Sequence, residues 1–257
     1  MRDTMMLELR GVSKSFGGIK AITDLSMEVA EGEIVGLIGP NGAGKTTVFN
    51  LVTGVYRPDS GEIVFRGESV GGLPPHVIVS KGVARTFQNI RLFNNLSVLD
   101  NVKIALHSQP EYGLGAALAG LGKVAIENKR IVAKAREFLD MVGLSDRAKL
   151  RAGALPYGLA RRLEIARALA LNPRLLLLDE PAAGMNPDEI ADLKELILKI
   201  HKDFNLTIVL IEHRMDLVMA TCPRLVVLNF GTKIAEGSPE EIQTNPQVLQ
   251  AYLGEDY

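Results

Sequence analysis

The chain contains very little cysteine and few aromatic residues. Cys222 is its single cysteine, tryptophan is absent, and aromatic residues make up 5% of the 257 positions. One cysteine excludes an internal disulfide and fits a reducing compartment. We expect Cys222 to be a small buried apolar residue.

The chain also lacks an excess of charge and a long hydrophobic run. Its formal net charge is −1, so nothing indicates dedicated nucleic-acid binding. The longest apolar stretch outside the predicted core strands, residues 114–121, is far too short to span a bilayer. No signal-peptide pattern opens the chain. We therefore expect a soluble protein in which any membrane role comes through a partner.

What the chain does contain is the composition of an ordinary globular protein. Hydrophobic residues make up 47% of it and charged residues 23%. Its length fits one α/β domain, or one domain with a smaller lobe. Alternating polar and apolar residues at 6–12 and 25–29 predict an antiparallel edge region beside a parallel core. A loop is predicted around Pro74 and Pro75.

The most informative stretch is residues 39–46, with the sequence Gly-Pro-Asn-Gly-Ala-Gly-Lys-Thr. It follows an apolar run at 34–38, which is typical of a buried parallel strand. Residues 46–52 then have the apolar spacing of a helix. A strand, a glycine loop and a helix in this order are the context of a phosphate-binding loop.

The residue types in this loop suit a triphosphate. Gly39, Gly42 and Gly44 leave out side chains, so successive backbone N–H groups can surround the phosphates. Lys45 would add a positive charge at the β- and γ-phosphates, and the Thr46 hydroxyl could ligate Mg²⁺. The alternative is a flexible turn with an accidental lysine. We predict a nucleoside triphosphate site.

Two carboxylates follow a second apolar strand, at residues 174–178. Burying a charge there is expensive without a counter-charge, which Mg²⁺ would supply. Asp179 is the candidate for holding the metal, directly or through water. Glu180 is then placed to orient or polarise the water that attacks the γ-phosphate.

Three further positions are weaker candidates on their own. Gln88 directly follows a predicted strand at 83–87, where ligands of α/β proteins bind, but it could equally be an ordinary loop amide. His213 follows the predicted strand at 205–211 and either contacts the γ-phosphate or is structural. Phe16 could stack on a base or belong to the core.

The remaining periodic segments predict a helical lobe. The segment near residues 107–125 reads as an insertion, and residues 126–142 return to helical spacing. We predict a lobe at about 89–159 on a nucleotide-binding core formed by 1–88 and 160–257.

A helix is also predicted at 155–169, opened by Pro156-Tyr157-Gly158. Its N-terminus could be a second anion site, although by itself it reads as a plain amphipathic helix.

The order of these blocks resembles the ATP-binding subunit of ABC transporters over nearly the whole chain. The resemblance implies an α/β fold with a P-loop core, a mostly parallel sheet, an antiparallel β region and a small helical lobe. It implies ATP and Mg²⁺ as cofactors, and adenine stacking on Phe16. It also implies that Gln88 couples the nucleotide to a permease and that His213 is a switch histidine. Residues 155–159 correspond to the signature motif, which caps the γ-phosphate of a partner subunit.

Residue pattern and resemblance together give one set of predicted site residues. The predicted catalytic residues are Glu180, His213 and Gln88. The predicted nucleotide-binding residues are Phe16, Gly39, Asn41, Gly42, Gly44, Lys45, Thr46, Thr47, Tyr157 and Gly158. The predicted metal ligands are Thr46, Gln88 and Asp179.

Three stretches, residues 85–93, 161–167 and 181–187, resemble more closely the ATPase subunits of branched-chain amino-acid importers. This resemblance implies two transmembrane permease subunits, a second ATP-binding subunit that is a sister ATPase or a second copy, and indirectly a periplasmic or extracellular solute-binding protein. It implies a cytoplasmic location on the inner face of the membrane, held by the permease, and no nucleic acid. A urea or lipopolysaccharide ABC system, a DNA-acting ABC ATPase and a stand-alone P-loop kinase are the alternatives.

The signature departs from the usual Leu-Ser-Gly-Gly-Gln. Pro156 replaces the serine, Tyr157 the first glycine and Leu159 the glutamine. Because Pro156 has neither a hydroxyl nor an N–H group, we expect weaker contact with the opposing ATP. Asn186 stands where the loop that crosses the dimer interface usually has aspartate.

Overall fold

The chain folds around two β-sheets, in a computed structural model that describes residues 5–107 and 121–253. The described strands are β1 (Met5–Phe16), β2 (Ile19–Ala30), β3 (Ile34–Ile38), β4 (Ser60–Phe65), β5 (Glu68–Ser69), β6 (Val83–Arg85), β7 (Leu175–Asp179), β8 (Thr207–Ile211), β9 (Arg224–Asn229) and β10 (Thr232–Gly237). The described α-helices are α1 (Lys45–Val52), α2 (Pro75–Ser80), α3 (Val98–His107), α4 (Leu121–Met141), α5 (Tyr157–Leu169), α6 (Pro187–Phe204), α7 (Met215–Thr221), α8 (Pro239–Thr244) and α9 (Pro246–Leu253). Short 3₁₀ turns lie at Ser145–Arg147 and Ala152–Ala154.

The larger sheet has six strands in the order β10-β9-β3-β8-β7-β6. All neighbours are parallel except β10, which runs antiparallel to β9. Every residue of β3, β7 and β8 is buried. Both faces of this sheet are covered, which explains why its central strands read as continuous apolar runs. Alternate residues enter different cores: Val35 and Leu37 face one, and Ile34 and Ile38 the other.

The antiparallel region forms a sheet of its own, in the order β2-β1-β4-β5. It packs against α1 and one face of the larger sheet, in a core that includes Leu7, Leu25, Phe49 and Ile63. β1 and β2 have 12 residues each, so they are longer than predicted, and the turn between them is confined to Gly17 and Gly18.

Helices α3, α4 and α5 pack against one another on the opposite face of the larger sheet. α4 begins at Leu121 rather than near residue 126, and the central part of the predicted insertion, 108–120, lies outside the described residues. The lobe boundaries remain a prediction. Within the described residues, no helix is both long and apolar enough to cross a bilayer.

Two short helices were missed by the sequence patterns. The segment predicted as a loop around Pro74 contains α2, which begins at Pro75, a residue suited to the first helical position. α7 is separated from β8 by three residues and has only seven residues, too few for a clear apolar period. Cys222 is buried, as predicted, and burial raises the pKa of its thiol to about 12.

Candidate functional site

The glycine loop lies between the end of β3 and the start of α1, with its backbone held in conformations that favour glycine. Gly39 has φ +148°, Gly42 +76° and Gly44 +103°. A Cβ on Gly39 would lie 2.1 Å from the carbonyl oxygen of Leu228, and one on Gly44 would lie 2.7 Å from that of Ala21. The loop is therefore packed backbone to backbone against β9 and β2.

The turn between β9 and β10 closes this arrangement. The N–H of Gly231 donates to the carbonyl of Ala43 at 2.9 Å, and the carbonyl of Gly231 accepts from the N–H of Thr23 at 2.9 Å. We call this turn and the end of β9, residues 228–231, the loop support. It fixes the phosphate loop relative to β2.

Lys45 places its ammonium group inside the loop. The residue is 6% exposed, and its Nζ donates to the carbonyls of Gly39 at 2.6 Å and Pro40 at 2.8 Å. Asn41 and Thr46 are exposed beside it, and Thr47 is half-buried. A cation enclosed by a glycine loop at a helix N-terminus provides the electrostatics of an anion site.

Asp179 ends β7 with its side chain buried. Its Oδ2 accepts from Arg85 Nη2 at 2.6 Å, and Arg85 Nη1 donates to Asn50 of α1 at 2.7 Å. The sequence analysis assigned the counter-charge to Mg²⁺ alone; in the structure Arg85 supplies one. This pair connects β6, β7 and the helix that follows the phosphate loop.

The donor atoms around Asp179 fit a magnesium ion bound together with phosphates. Oδ1 of Asp179 is buried and has no hydrogen-bond partner among the described residues. The predicted ligands Thr46 and Gln88 would add further oxygen donors of the kind that Mg²⁺ prefers. The described residues include no cluster of three or more His, Cys, Asp or Glu side chains that could hold a metal ion. Phosphate oxygens would therefore have to complete the coordination.

Two of the predicted catalytic residues, Gln88 and His213, contact the carboxylate of the third, Glu180. Gln88 Nε2 donates to Glu180 Oε2 at 2.7 Å, and His213 Nε2 lies 3.1 Å from Glu180 Oε1. Glu180 is half-buried and has φ +46°, a strained conformation for a residue other than glycine. The strain and both contacts fix the direction of a carboxylate that directly follows Asp179.

Glu212 is a positioning group that the sequence analysis did not identify. Its buried carboxylate accepts from the N–H groups of Ala182 at 2.6 Å, His213 at 3.0 Å and Arg214 at 3.3 Å. Burial raises the pKa of Glu212, and these N–H groups oppose the shift. Glu212 thus ties the loop after β7 to the loop that carries His213. A glutamate directly after an apolar strand was the signal available in the sequence.

Arg161 and Glu164 of α5 are also buried charges without a role in the sequence analysis. Arg161 Nη1 lies 2.5 Å from Glu164 Oε2. Burial raises the pKa of Glu164, and the Arg161 charge opposes the shift. Charged residues beside Leu163, on the buried side of an amphipathic helix, were the signal available.

The remaining predicted site residues lie at the ends of β1 and α5. Phe16 is 40% exposed and contacts Tyr56 edge to face, with ring centroids 4.9 Å apart. Tyr157 and Gly158 open α5 as predicted. A Cβ on Gly158 would lie 2.6 Å from Glu189 Oε1. A carboxylate at the first turn of α5 opposes anion binding there.

The loop, the enclosed lysine and the carboxylates after β7 define the class of P-loop nucleoside-triphosphate-binding proteins. The family model described as ABC transporter matches residues 22–183. A second, described as branched-chain amino acid ATP-binding cassette transporter, matches residues 232–257. The chain belongs to the ABC transporter family, as an ATP-binding cassette that hydrolyses ATP. This confirms the predicted fold class, family and ATPase activity.

Curated relatives resemble the chain over nearly its full length. The high-affinity branched-chain amino acid transport ATP-binding protein BraF of Pseudomonas aeruginosa is 46% identical, over 97% of this chain and 98% of its own. Its counterpart LivG of Escherichia coli is 45% identical over the same shares.

Solved structures resemble the fold as well. An ATP-binding cassette of an ABC transporter in its ADP conformation superposes with a TM-score of 0.83 and 28% identity, over 97% of this chain and 99% of that one. A dimeric post-hydrolysis cassette bound to ADP and Pi gives a TM-score of 0.77 and 26% identity, over 91% and 99%.

Replacing Gly39 by alanine tests the packing of the phosphate loop. The added Cβ would meet the Leu228 carbonyl, so we expect Gly39→Ala to lower the free energy of unfolding by about 3 kcal/mol. The control, Gly67→Ala, also has a positive φ (+79°) but nothing within 4 Å of the new Cβ, and should cost about 1 kcal/mol. Urea unfolding measures both, and equal losses would contradict the packing argument.

Replacing Arg85 by methionine tests the counter-charge. Asp179 would be left buried and unpaired, so we expect Arg85→Met to lower the free energy of unfolding by about 3–5 kcal/mol. Arg10→Met, which removes an exposed pair with Glu8 and Glu62, should leave the free energy of unfolding close to the wild-type value, because water screens exposed pairs.

The double variant Arg85→Met, Asp179→Asn should recover much of the loss, because the unpaired charge is removed. Thermal or urea unfolding of Arg85→Met, Arg10→Met and the double variant, each compared with the wild type, tests whether Arg85 compensates the charge of Asp179. A single variant as stable as Arg10→Met would show that Arg85 does not compensate Asp179.

Proposed function

We propose that this chain is the ATP-hydrolysing subunit of an importer of branched-chain amino acids. The observation that supports the ATP-hydrolysis part of this proposal is that Gln88 and His213 both contact Glu180, next to Asp179. The similarity to BraF and LivG supports the choice of solute, because it extends over 97% of this chain. The match of residues 232–257 to a branched-chain amino acid transporter model supports it too.

Binding of ATP begins in the phosphate loop. Lys45 now donates to the carbonyls of Gly39 and Pro40, and these bonds are exchanged for phosphate oxygens when the nucleotide enters. Backbone N–H groups of the loop bind the same phosphates, and Phe16 offers a partly exposed ring for the base.

Glu180 then acts as the base for the attacking water. Mg²⁺, held by Thr46, Gln88 and Asp179, would neutralise charge on the phosphates. The amide of Gln88 donates to Glu180 through Nε2, which leaves its oxygen available as the predicted metal ligand. His213 holds the second oxygen of Glu180, so the carboxylate has one orientation toward the water.

A second ATP-binding subunit would close over this site with its own signature helix. In the same complex the N-terminus of α5 would face the partner's nucleotide. Pro156 offers no N–H there, and Glu189 brings negative charge to Gly158. We infer that the ATP facing this signature is held more weakly than the ATP bound by Lys45.

An apolar groove beside Gln88 fits the permease. It has a volume of about 720 Å³ and lies among β6 and helices α2, α3 and α5. Four of its large apolar side chains are exposed: Val55, Val79, Phe93 and Ile104. Arg91 and Arg167 add positive charge. The matching partner is a short permease segment with an apolar face and acidic residues, which would hold the chain at the cytoplasmic face of the membrane.

Hydrolysis is tested with Glu180→Gln. The amide cannot take a proton from water, so we expect kcat to fall at least about a hundredfold while ATP affinity stays near the wild-type value. Lys45→Ala provides the contrast, because it removes the cation in the loop and should abolish binding of a fluorescent ATP analogue. Hydrolysis by Glu180→Gln at the wild-type rate would exclude Glu180 as the base.

The partner and the solute are tested by tagging the chain and purifying it from solubilised membranes. Two hydrophobic permeases and a second ATPase should accompany it, and vesicles with the complex should take up leucine rather than urea. Phe93→Asp with Ile104→Asp should lose the permeases and keep ATP affinity, because both changes lie in the groove.

Ile126→Asp is the control, since Ile126 is 69% exposed but does not line the groove. Recovery of no membrane protein with the wild-type chain would contradict the transport assignment. Equal loss of the permeases in both variants would contradict the assignment of the groove as the permease-binding surface.

A further inference from the structure

Arg161 is a fully buried side chain that contacts the backbone next to the catalytic cluster. Its Nη1 donates to the carbonyl of Phe87 at 2.5 Å and its Nη2 to the carbonyl of Gln88 at 2.7 Å. Glu164 accepts from the N–H of Phe87 at 3.1 Å. Three hydrogen bonds from α5 therefore hold the two-residue segment 87–88.

These contacts are made to main-chain atoms. A buried guanidinium and carboxylate need hydrogen-bond partners, and here the segment 87–88 supplies two acceptors to Arg161 and one donor to Glu164. The ring of Phe87 is held as well, by the guanidinium groups of Arg85 and Arg91, 5.1 and 4.7 Å from its centroid. The position of Gln88 relative to α5 is fixed independently of the Gln88 side chain.

Arg161 also reaches the first residue of α5. Its Nη2 donates to the hydroxyl of Tyr157 at 3.2 Å. On the other side, Gln88 donates to Glu180 at 2.7 Å. A continuous series of contacts thus joins Tyr157, Arg161, Gln88 and Glu180, from the start of α5 to the catalytic carboxylate.

We propose that Arg161, supported by Glu164, is a positioning residue that couples the N-terminus of α5 to Glu180. A displacement of α5 moves the segment 87–88 with it, and thereby the hydrogen bond that orients Glu180. This inference rests on the proposed function, in which the N-terminus of α5 faces the nucleotide of a partner subunit. Activation of water in one site then depends on the nucleotide held at the other.

The guanidinium is suited to this role by its shape. It presents several N–H donors in a fixed plane, and Arg161 uses them on Phe87, Gln88, Glu164 and Tyr157. A lysine at this position has a single ammonium group, which cannot hold two successive carbonyls and the tyrosine hydroxyl in one plane.

The test removes the buried pair as a whole. Arg161→Met with Glu164→Met replaces both charges by apolar side chains, which keeps the fold because no unpaired charge remains. Tyr157→Phe removes only the hydroxyl contact. Arg162→Met is the matched control, because Arg162 is the next residue but bonds to Val142 and Asp192.

Hydrogen exchange of the Phe87 amide and kcat are the two deciding quantities, measured on the full chain and on the assembled transporter, with KM and the melting temperature recorded alongside. We expect hydrogen exchange of the Phe87 amide in the double variant to rise about tenfold. We expect kcat for ATP to fall about tenfold, while KM and the melting temperature stay close to wild type. Tyr157→Phe should lower kcat with the Phe87 amide still protected. Arg162→Met should match the wild type in both quantities.

Faster exchange with an unchanged kcat would overturn the proposal, because the segment would be released without consequence. A fall in kcat accompanied by a clear fall in melting temperature would also overturn it, because that result indicates a merely structural role. If the double variant does not fold, Tyr157→Phe decides alone: an unchanged kcat overturns the coupling. Failure of the proposed function is distinct, since the tagged wild-type chain would then recover no permease and no second ATP-binding subunit from solubilised membranes.

Discussion

The contact between Asp179 and Arg85 illustrates the main constraint on this structure, which is the pairing of buried charges. A parallel sheet buried on both faces leaves little water around the side chains that are buried at its carboxyl edge, so each buried charge there needs a partner supplied by the protein. Arg85 forms an ion pair with Asp179, and three backbone N–H groups donate to Glu212. The segment 87–88 forms hydrogen bonds with the Arg161–Glu164 pair of α5. Arg85, Ala182 and the segment 87–88 are each distant in sequence from the charged residue that they contact. The contacts that make these charges tolerable therefore also set the positions of the loops that carry the chemistry.

Much of the architecture was predictable because its signals are local. The apolar runs of β3, β7 and β8, the glycine loop and the start of α5 at Tyr157 are each encoded within a few adjacent residues. The two short helices α2 and α7 were not predictable, since neither is long enough to show a period. The antiparallel region was foreseen, but its separation into an independent sheet depends on packing against α1.

The site was predictable in its parts and less so in its connections. The meeting of Gln88, Glu180 and His213 follows from their places after three parallel strands whose ends share one edge. The pairing of Arg85 with Asp179 spans 94 residues, and no spacing rule reveals it. The same holds for the carboxylate of Glu189 beside Gly158, which comes from another helix.

The loop support has a consequence for how the protein is made. The phosphate loop leaves the ribosome early, whereas residues 228–231, which close against Gly39 and Ala43, are synthesised near the other end of the described chain. At about 5–20 residues per second, the loop waits roughly 10–40 s for its support. During that interval the nascent chain has the phosphate-binding motif without its final shape. The shape that binds the phosphates therefore depends on a segment that is synthesised long after the loop itself.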